Sequence, residues 1–234
     1  MSITKIMSSL IVSLLLSSGV VVAADLDKGL KAYGSGDYKT ALDEWASLAE
    51  QGNAFAQYNL GVMYNNGKGV TRNYEAAVEW YTLAADQGNA MSQYNLGVMY
   101  HNGRGVEQNY NSAVKWYTQA AEQGDAMAQY HLGVMHEHGR GIKQNHKAAL
   151  SWYTKAGKRG HGKAQYSLGS MYKRGIGVET DYIQAYIWFC LAAQNGYTHN
   201  SEYKEIVAKN MTSAEIYKAQ DMASRCLDSG YQDC

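Results

Sequence analysis

The sequence contains no proline and carries no net charge, with 21 basic side chains balanced by 21 acidic ones. Without proline nothing interrupts a helical hydrogen-bond ladder, and frequent Ala, Leu, Gln and Glu favour helix. Neutrality argues against a nucleic-acid or anionic-membrane partner, because either would need a basic field. Cysteine is scarce, with Cys190, Cys226 and Cys234 the only three. An odd count leaves at least one thiol over. Two of them flank a turn-forming stretch around Gly230, so Cys226 and Cys234 are expected to pair. The alternative is a Cys190–Cys226 bridge that would staple the terminal helix to the last repeat.

Other absences bear on chemistry. There is no His-Glu-x-x-His, and no Ser-Asp-Asn or Lys-Thr-Gly to accompany Ser-x-x-Lys matches such as Ser170 to Lys173 and Ser201 to Lys204. Another match, Ser2 to Lys5, lies in the leader, which shows how little the pattern discriminates. Carboxylates such as Glu75 and Glu79 are spaced as a solvated helix face, and no catalytic constellation converges. Histidines gather at His131, His136, His138 and His146, with His136 standing where other copies carry tyrosine. Neither a metal nor any other cofactor is expected, and no catalytic residue is assigned.

What is present begins with a leader. Lys5 is the only charge before Asp25; an apolar run from Ile6 to Leu16 follows, then Val20 to Ala24 with small residues at a cleavage position. This is the form of a secretory signal peptide over residues 1–24, cut after Ala23 or Ala24. The run is short for a membrane span, so no stable span is expected after cleavage, and the competing reading is a retained anchor. The mature chain is therefore expected in the periplasm or secreted.

The mature chain is repetitive. Tyr58-Asn-Leu-Gly-Val-Met-Tyr64 returns at Tyr94, Tyr130 and Tyr166, each a step of 36 residues, and Trp80, Trp116, Trp152 and Trp188 keep the same step. Each copy resolves into two helices. Ala56, Leu60, Met63 and Tyr64 share one face of the first, and Gly61 leaves room for a neighbouring helix. Ala77, Tyr81, Ala84 and Ala85 form the stripe of the second. Asn53, Asn89 and Asp125 stand as N-caps of first helices; Asn73, Asn109, Asn145 and Asp181 do so for second helices. Gly52, Gly88, Gly124, Gly160 and Gly196 close the second helices. The intervening Asn66-Gly-Lys-Gly-Val70 and its counterparts follow a helix rather than a strand, and are read as backbone geometry rather than a phosphate loop.

The repeats are placed at about 26–52 (a shortened copy), 53–88, 89–124, 125–160 and 161–196, forming a solenoid over 25–196. Residues 197–234 form a helical cap that covers the last apolar face. The fold class is thus an all-α, α/α solenoid of about five helix pairs.

The pattern Ala-x-x-x-Leu-Gly-x-x-Tyr-x-x-Gly-x-Gly-Val followed by Ala-x-x-Trp-Tyr-x-x-Ala-Ala-x-x-Gly resembles the Sel-1-like repeat family, related to tetratricopeptide repeats. It covers residues 53–196 closely, while 26–52 is similar to a plainer tetratricopeptide unit. The resemblance implies a right-handed superhelix and a role as adaptor or scaffold for a protein or peptide partner. Exported bacterial members are associated with envelope assembly, signalling and host interaction, and an immunity-type protein that neutralises an exported toxin is a narrower version. It also implies a groove lined from the first helices. Its rows here would be Tyr58, Tyr94, Tyr130 and Tyr166; Asn65, His101, Glu137 and Lys173; and Asn66, Asn102, His138 and Arg174. A cysteine-rich subgroup is described as β-lactamase-like, but it carries regularly spaced cysteine pairs that this sequence lacks.

Overall fold

The computed structural model describes residues 24–197 and 202–231. Among them are twelve helices and no strand. The signal peptide expected at residues 1–24 falls almost wholly outside the described residues.

Five helix hairpins follow one another. They are α1 (Leu26–Ser35) with α2 (Tyr38–Glu50), α3 (Ala54–Asn66) with α4 (Tyr74–Asp86), and α5 (Ala90–Asn102) with α6 (Tyr110–Glu122). Then come α7 (Ala126–His138) with α8 (His146–Gly157), and α9 (Gly162–Arg174) with α10 (Tyr182–Gln194). Each first helix packs on its own second helix and on the second helix of the preceding pair, which makes the array an all-α solenoid. The helices begin where the capping residues stand. The side chains of Asn53, Asn89 and Asp125 accept from the backbone N–H three residues on, and Asn73, Asn109, Asn145 and Asp181 do the same for the second helices. His161 caps α9 in the same manner through Nδ1, a role the sequence pattern did not suggest.

Close approach within each pair depends on a glycine. A Cβ at Gly61 would lie 2.5 Å from the Tyr81 ring, at Gly133 2.6 Å from Tyr153 and at Gly169 2.7 Å from Phe189; Gly97 meets Tyr117 and Gly29 meets Trp45 likewise. The rings of Trp45, Tyr81, Tyr117 and Tyr153 are almost completely buried there. The second loop glycine serves the contact between pairs. Gly69, Gly105, Gly141 and Gly177 all have positive φ, and the last three lie directly against backbone at the start of the preceding second helix.

A row of buried glutamines ties successive pairs together. Nε2 of Gln57, Gln93, Gln129 and Gln165 donates to the carbonyls of Ala49, Ala85, Ala121 and Gly157 at 2.9–3.1 Å. Those carbonyls lie in the last turn of the preceding second helix and already accept from the N–H of Gly52, Gly88, Gly124 and Gly160, so each glutamine supplies a second donor. Three of the amide oxygens accept in turn: Gln57 from Gln87, Gln93 from Gln123, and Gln165 from Asn195. The fourth, Oε1 of Gln129, is buried without a partner because position 159 is arginine, whose guanidinium lies near Gly124 instead.

The end of the solenoid is covered. Helix α10 buries Tyr186, Ile187, Trp188, Phe189 and Leu191, so it is apolar nearly all round. Helices α11 (Glu202–Ala208) and α12 (Ser213–Asp228) pack against it and bury Val207, Ala219, Ala223 and Cys226. Tyr231 Oη donates to Asn195 Oδ1 at 2.8 Å and so closes the cap onto the last repeat. Cys190 is a free thiol, which rules out the alternative bridge from Cys190 to Cys226. The expected Cys226–Cys234 bridge ends on Cys234, which lies outside the described residues.

Two substitutions test this packing by chemical denaturation. Gly97→Ala forces a methyl into the Tyr117 ring and is expected to lower stability by about 2–3 kcal/mol. Arg159→Gln places a donor beside the orphaned Gln129 oxygen and is expected to raise it by about 1 kcal/mol.

Candidate functional site

The first helices present three rows of side chains at 36-residue steps. Tyr58, Tyr94, Tyr130 and Tyr166 are half-buried. Each leans on the ring that its own glycine admits: Tyr58 on Tyr81 and Tyr94 on Tyr117 at 6.1 Å, Tyr130 on Tyr153 at 5.8 Å, Tyr166 on Phe189 at 5.6 Å. These tyrosines therefore pack within the repeats and also keep an accessible edge.

The second row is turned inward rather than presented. His101 lies against Tyr110 at 5.3 Å and Tyr117 at 6.4 Å. Glu137 accepts a 2.6 Å hydrogen bond from Tyr153 Oη, and the Lys173 ammonium sits over the Tyr203 ring at 5.3 Å. Asn65 donates to Asn66. Burial, with the Glu137 hydrogen bond second, pushes the Tyr153 phenol well above its ordinary range. The third row, Asn66, Asn102, His138 and Arg174, is exposed.

The histidines group across repeats rather than within one. His131 stacks on Tyr117 at 5.1 Å with an interplanar angle of 10°, and is 5.8 Å from Tyr94 and 6.4 Å from His101. His161 stacks on Tyr130 at 4.7 Å. Burial pushes the His131 imidazole down to about 4, with His101, His161 and Lys163 adding to the effect. Burial likewise lowers His101 and His161. All three rings are thus neutral at pH 7. In His161 the capping bond makes Nδ1 the acceptor, 3.2 Å from the Ala164 N–H, so the proton sits on Nε2, which faces the Met127 thioether at 3.2 Å. His136 is half-buried, and His138 is exposed at the end of its helix.

A cavity of about 410 Å³ opens beside this ring cluster, lined by Met127, Tyr130 and His131 of α7, His161 and Lys163 at the start of α9, and Tyr197 after α10. His161 and Tyr197 stand at the position held by Asn53, Asn89 and Asp125 in the other repeats. The aromatic wall is therefore a local departure from the repeat.

Among the described residues no three His, Cys, Asp or Glu side chains converge as a metal site would require. Ser170 shares α9 with Lys173, and Ser201 lies outside the described residues. No helix among the described residues is long and apolar enough to cross a membrane.

The family model described as Sel1 repeat matches residues 54–89, 90–125, 126–161 and 162–197. Two solved structures share the fold. One is a protective antigen present in uropathogenic Escherichia coli strains, displaying an SLR fold, at 35% identity and TM-score 0.75 over 82% of this chain and 42% of that one. The other is a Sel1 repeat protein from Oxalobacter formigenes, at 33% identity and TM-score 0.73 over 84% of this chain and 82% of that one. This chain spans less than half the length of the first. A comparison with curated proteins finds no match.

The neutral His131 links stability to pH. Its folded pKa lies below the ordinary histidine value, so its contribution is complete above about pH 6.5 and is lost as pH falls from there through about 4. Denaturant titrations at pH 7 and pH 4.5 should differ by about 2 kcal/mol more in the parent protein than in His131→Asn. Asparagine is the residue at the equivalent Asn59 and Asn95, so the variant keeps the repeat.

Proposed function

The chain belongs to the Sel1 repeat family, and from that premise we propose that it is an exported scaffold that binds a protein or peptide partner along the concave face of its solenoid. The observation that carries this reading is the face of the first helices. It pairs a rigid, half-buried tyrosine row with an exposed row of Asn66, Asn102, His138 and Arg174. Tyrosine supplies large contact area at small entropic cost, and its polar tip suits a wet interface. The exposed row changes from amides to imidazole and guanidinium along the chain, which suits an asymmetric partner. Export rests on the leader at residues 1–24 and places the protein in the periplasm or outside the cell. A Cys226–Cys234 bridge closing the cap is consistent with that compartment. Neither Ser170 nor the neutral histidines are set as nucleophile and base, so binding is favoured over hydrolysis.

Photoreactive benzoylphenylalanine placed at Asn102 or His138 is expected to give discrete partner adducts in the native cell. Placement at Glu79, an exposed position on a second helix, is expected to give none. Equal adducts from all three positions, or adducts from none, would exclude the groove.

A further inference from the structure

The cavity beside His131 combines aromatic walls with a single formal charge. Rings of Tyr130, His131, His161 and Tyr197 face it, and among the described residues Lys163 is the only charged side chain in its lining. Lys163 is exposed, and the two ion pairs among the described residues, Lys28–Glu44 and Arg225–Asp221, lie elsewhere. The Asn195 amide is committed to structure, donating to Gln165 and to the Leu191 carbonyl and accepting from Tyr231. The recognition groups are therefore ring faces, a thioether and one unpaired cation.

The same register gives the approach to the cavity. Position 163 is the fourth of a row whose earlier members are Phe55, Met91 and Met127. Met91 and Met127 are 39% and 44% exposed, unusual values for side chains that could have been buried. An apolar stripe thus runs along the starts of three first helices and ends at a cation where the cavity opens. Methionine surfaces adapt to varied apolar partners. A stripe that is neutral along its length and positive at one end fits a chain that is neutral along its length and negative at one end.

We propose that the cavity takes the C-terminal residue of a bound peptide, with an aromatic side chain among Tyr130, His161 and Tyr197 and the terminal carboxylate against Lys163. The volume of about 410 Å³ holds an aromatic side chain together with a carboxylate and its water. Neutral histidine rings leave the aromatic wall uncharged at pH 7, so the carboxylate is directed to Lys163 alone. This assignment rests on the scaffold reading and adds to it a polarity: the partner's C-terminus lies at the fifth repeat.

Fluorescence anisotropy on the full chain tests it, using a short Gly/Ser peptide that carries N-terminal fluorescein and ends in phenylalanine with a free carboxylate. The peptide is expected to bind saturably. The same peptide as a C-terminal amide, or ending in alanine, is expected to bind about tenfold more weakly. Lys163→Met installs the residue already present at the two preceding repeat positions, so folding is preserved. It is expected to weaken the free acid about tenfold and leave the amide unchanged. Equal binding of acid and amide, an unaltered affinity in Lys163→Met, or no saturable binding would overturn the assignment. Partner adducts at Asn102 that persist alongside any of those results would show that the terminus site fails while the scaffold reading stands.

Discussion

The solenoid depends on a glycine beneath an aromatic ring. In each repeat a first-helix glycine removes the one Cβ that would stand where a second-helix ring must lie. The ring is buried on that glycine and becomes the floor on which the tyrosine three residues earlier rests. One missing methyl thus sets the interhelical distance, the burial of the second helix's ring and the height of the tyrosine row. Because Gly29 meets Trp45 in the shortened first pair, the same rule operates where the rest of the repeat pattern has faded.

Between pairs the dominant constraint is polar. A buried amide group is costly unless satisfied, and the glutamine row uses that cost to fix one arrangement. Each glutamine reaches back to the free lone pair of a carbonyl at the end of the preceding helix, and three are locked in turn from 30 residues further on. A sliding or rotated neighbour would leave the buried glutamine amide without its acceptor. Arg159 interrupts this at the third member, Gln129, and leaves an unmet acceptor on the helix that lines the ring-walled cavity. The irregular features of the molecule are concentrated there. His131 replaces the asparagine of earlier repeats, His161 replaces an asparagine or aspartate cap, and Lys163 replaces a methionine.

The fold was legible in the sequence because its signals repeat in register. A 36-residue step fixes which glycines, caps and rings are equivalent, and the structure places Asn53, Asn73, Gly52 and Gly61 in the roles that spacing implies. The face was less legible. Spacing puts His101, Glu137 and Lys173 on the surface, yet each finds a ring or phenol within reach and folds toward it. Histidines close in sequence, such as His131, His136 and His138, point to different surroundings. The cluster that forms instead links His101, His131 and His161, each 30 residues from the next. That spacing joins the end of one first helix to the middle of the following one and then to the next cap, and no single-repeat periodicity reveals it. The glutamine row also repeats in register, but a polar residue beside an apolar stripe carries the pattern of a solvent-facing position, so spacing alone does not reveal its burial.

These two levels of order have a consequence for specificity. The glycine, the ring and the glutamine occupy positions that every repeat must satisfy, so they cannot vary without cost to packing. The cap position and the first-turn position behind it carry less of that burden. An asparagine, an aspartate or a histidine can each accept an N–H of the helix's first turn, and Phe55, Met91, Met127 and Lys163 all fit one site that is at least partly exposed in every repeat. Chemistry can therefore change from repeat to repeat at those positions while the stack stays the same. In this chain the cap position changes from amide through carboxylate to ring, and the first-turn position from apolar side chains to a cation. The recognition surface is thus polarised along an otherwise uniform scaffold, and its most distinctive chemistry lies against the capped end, where Tyr231 and Asn195 hold the last turn in place.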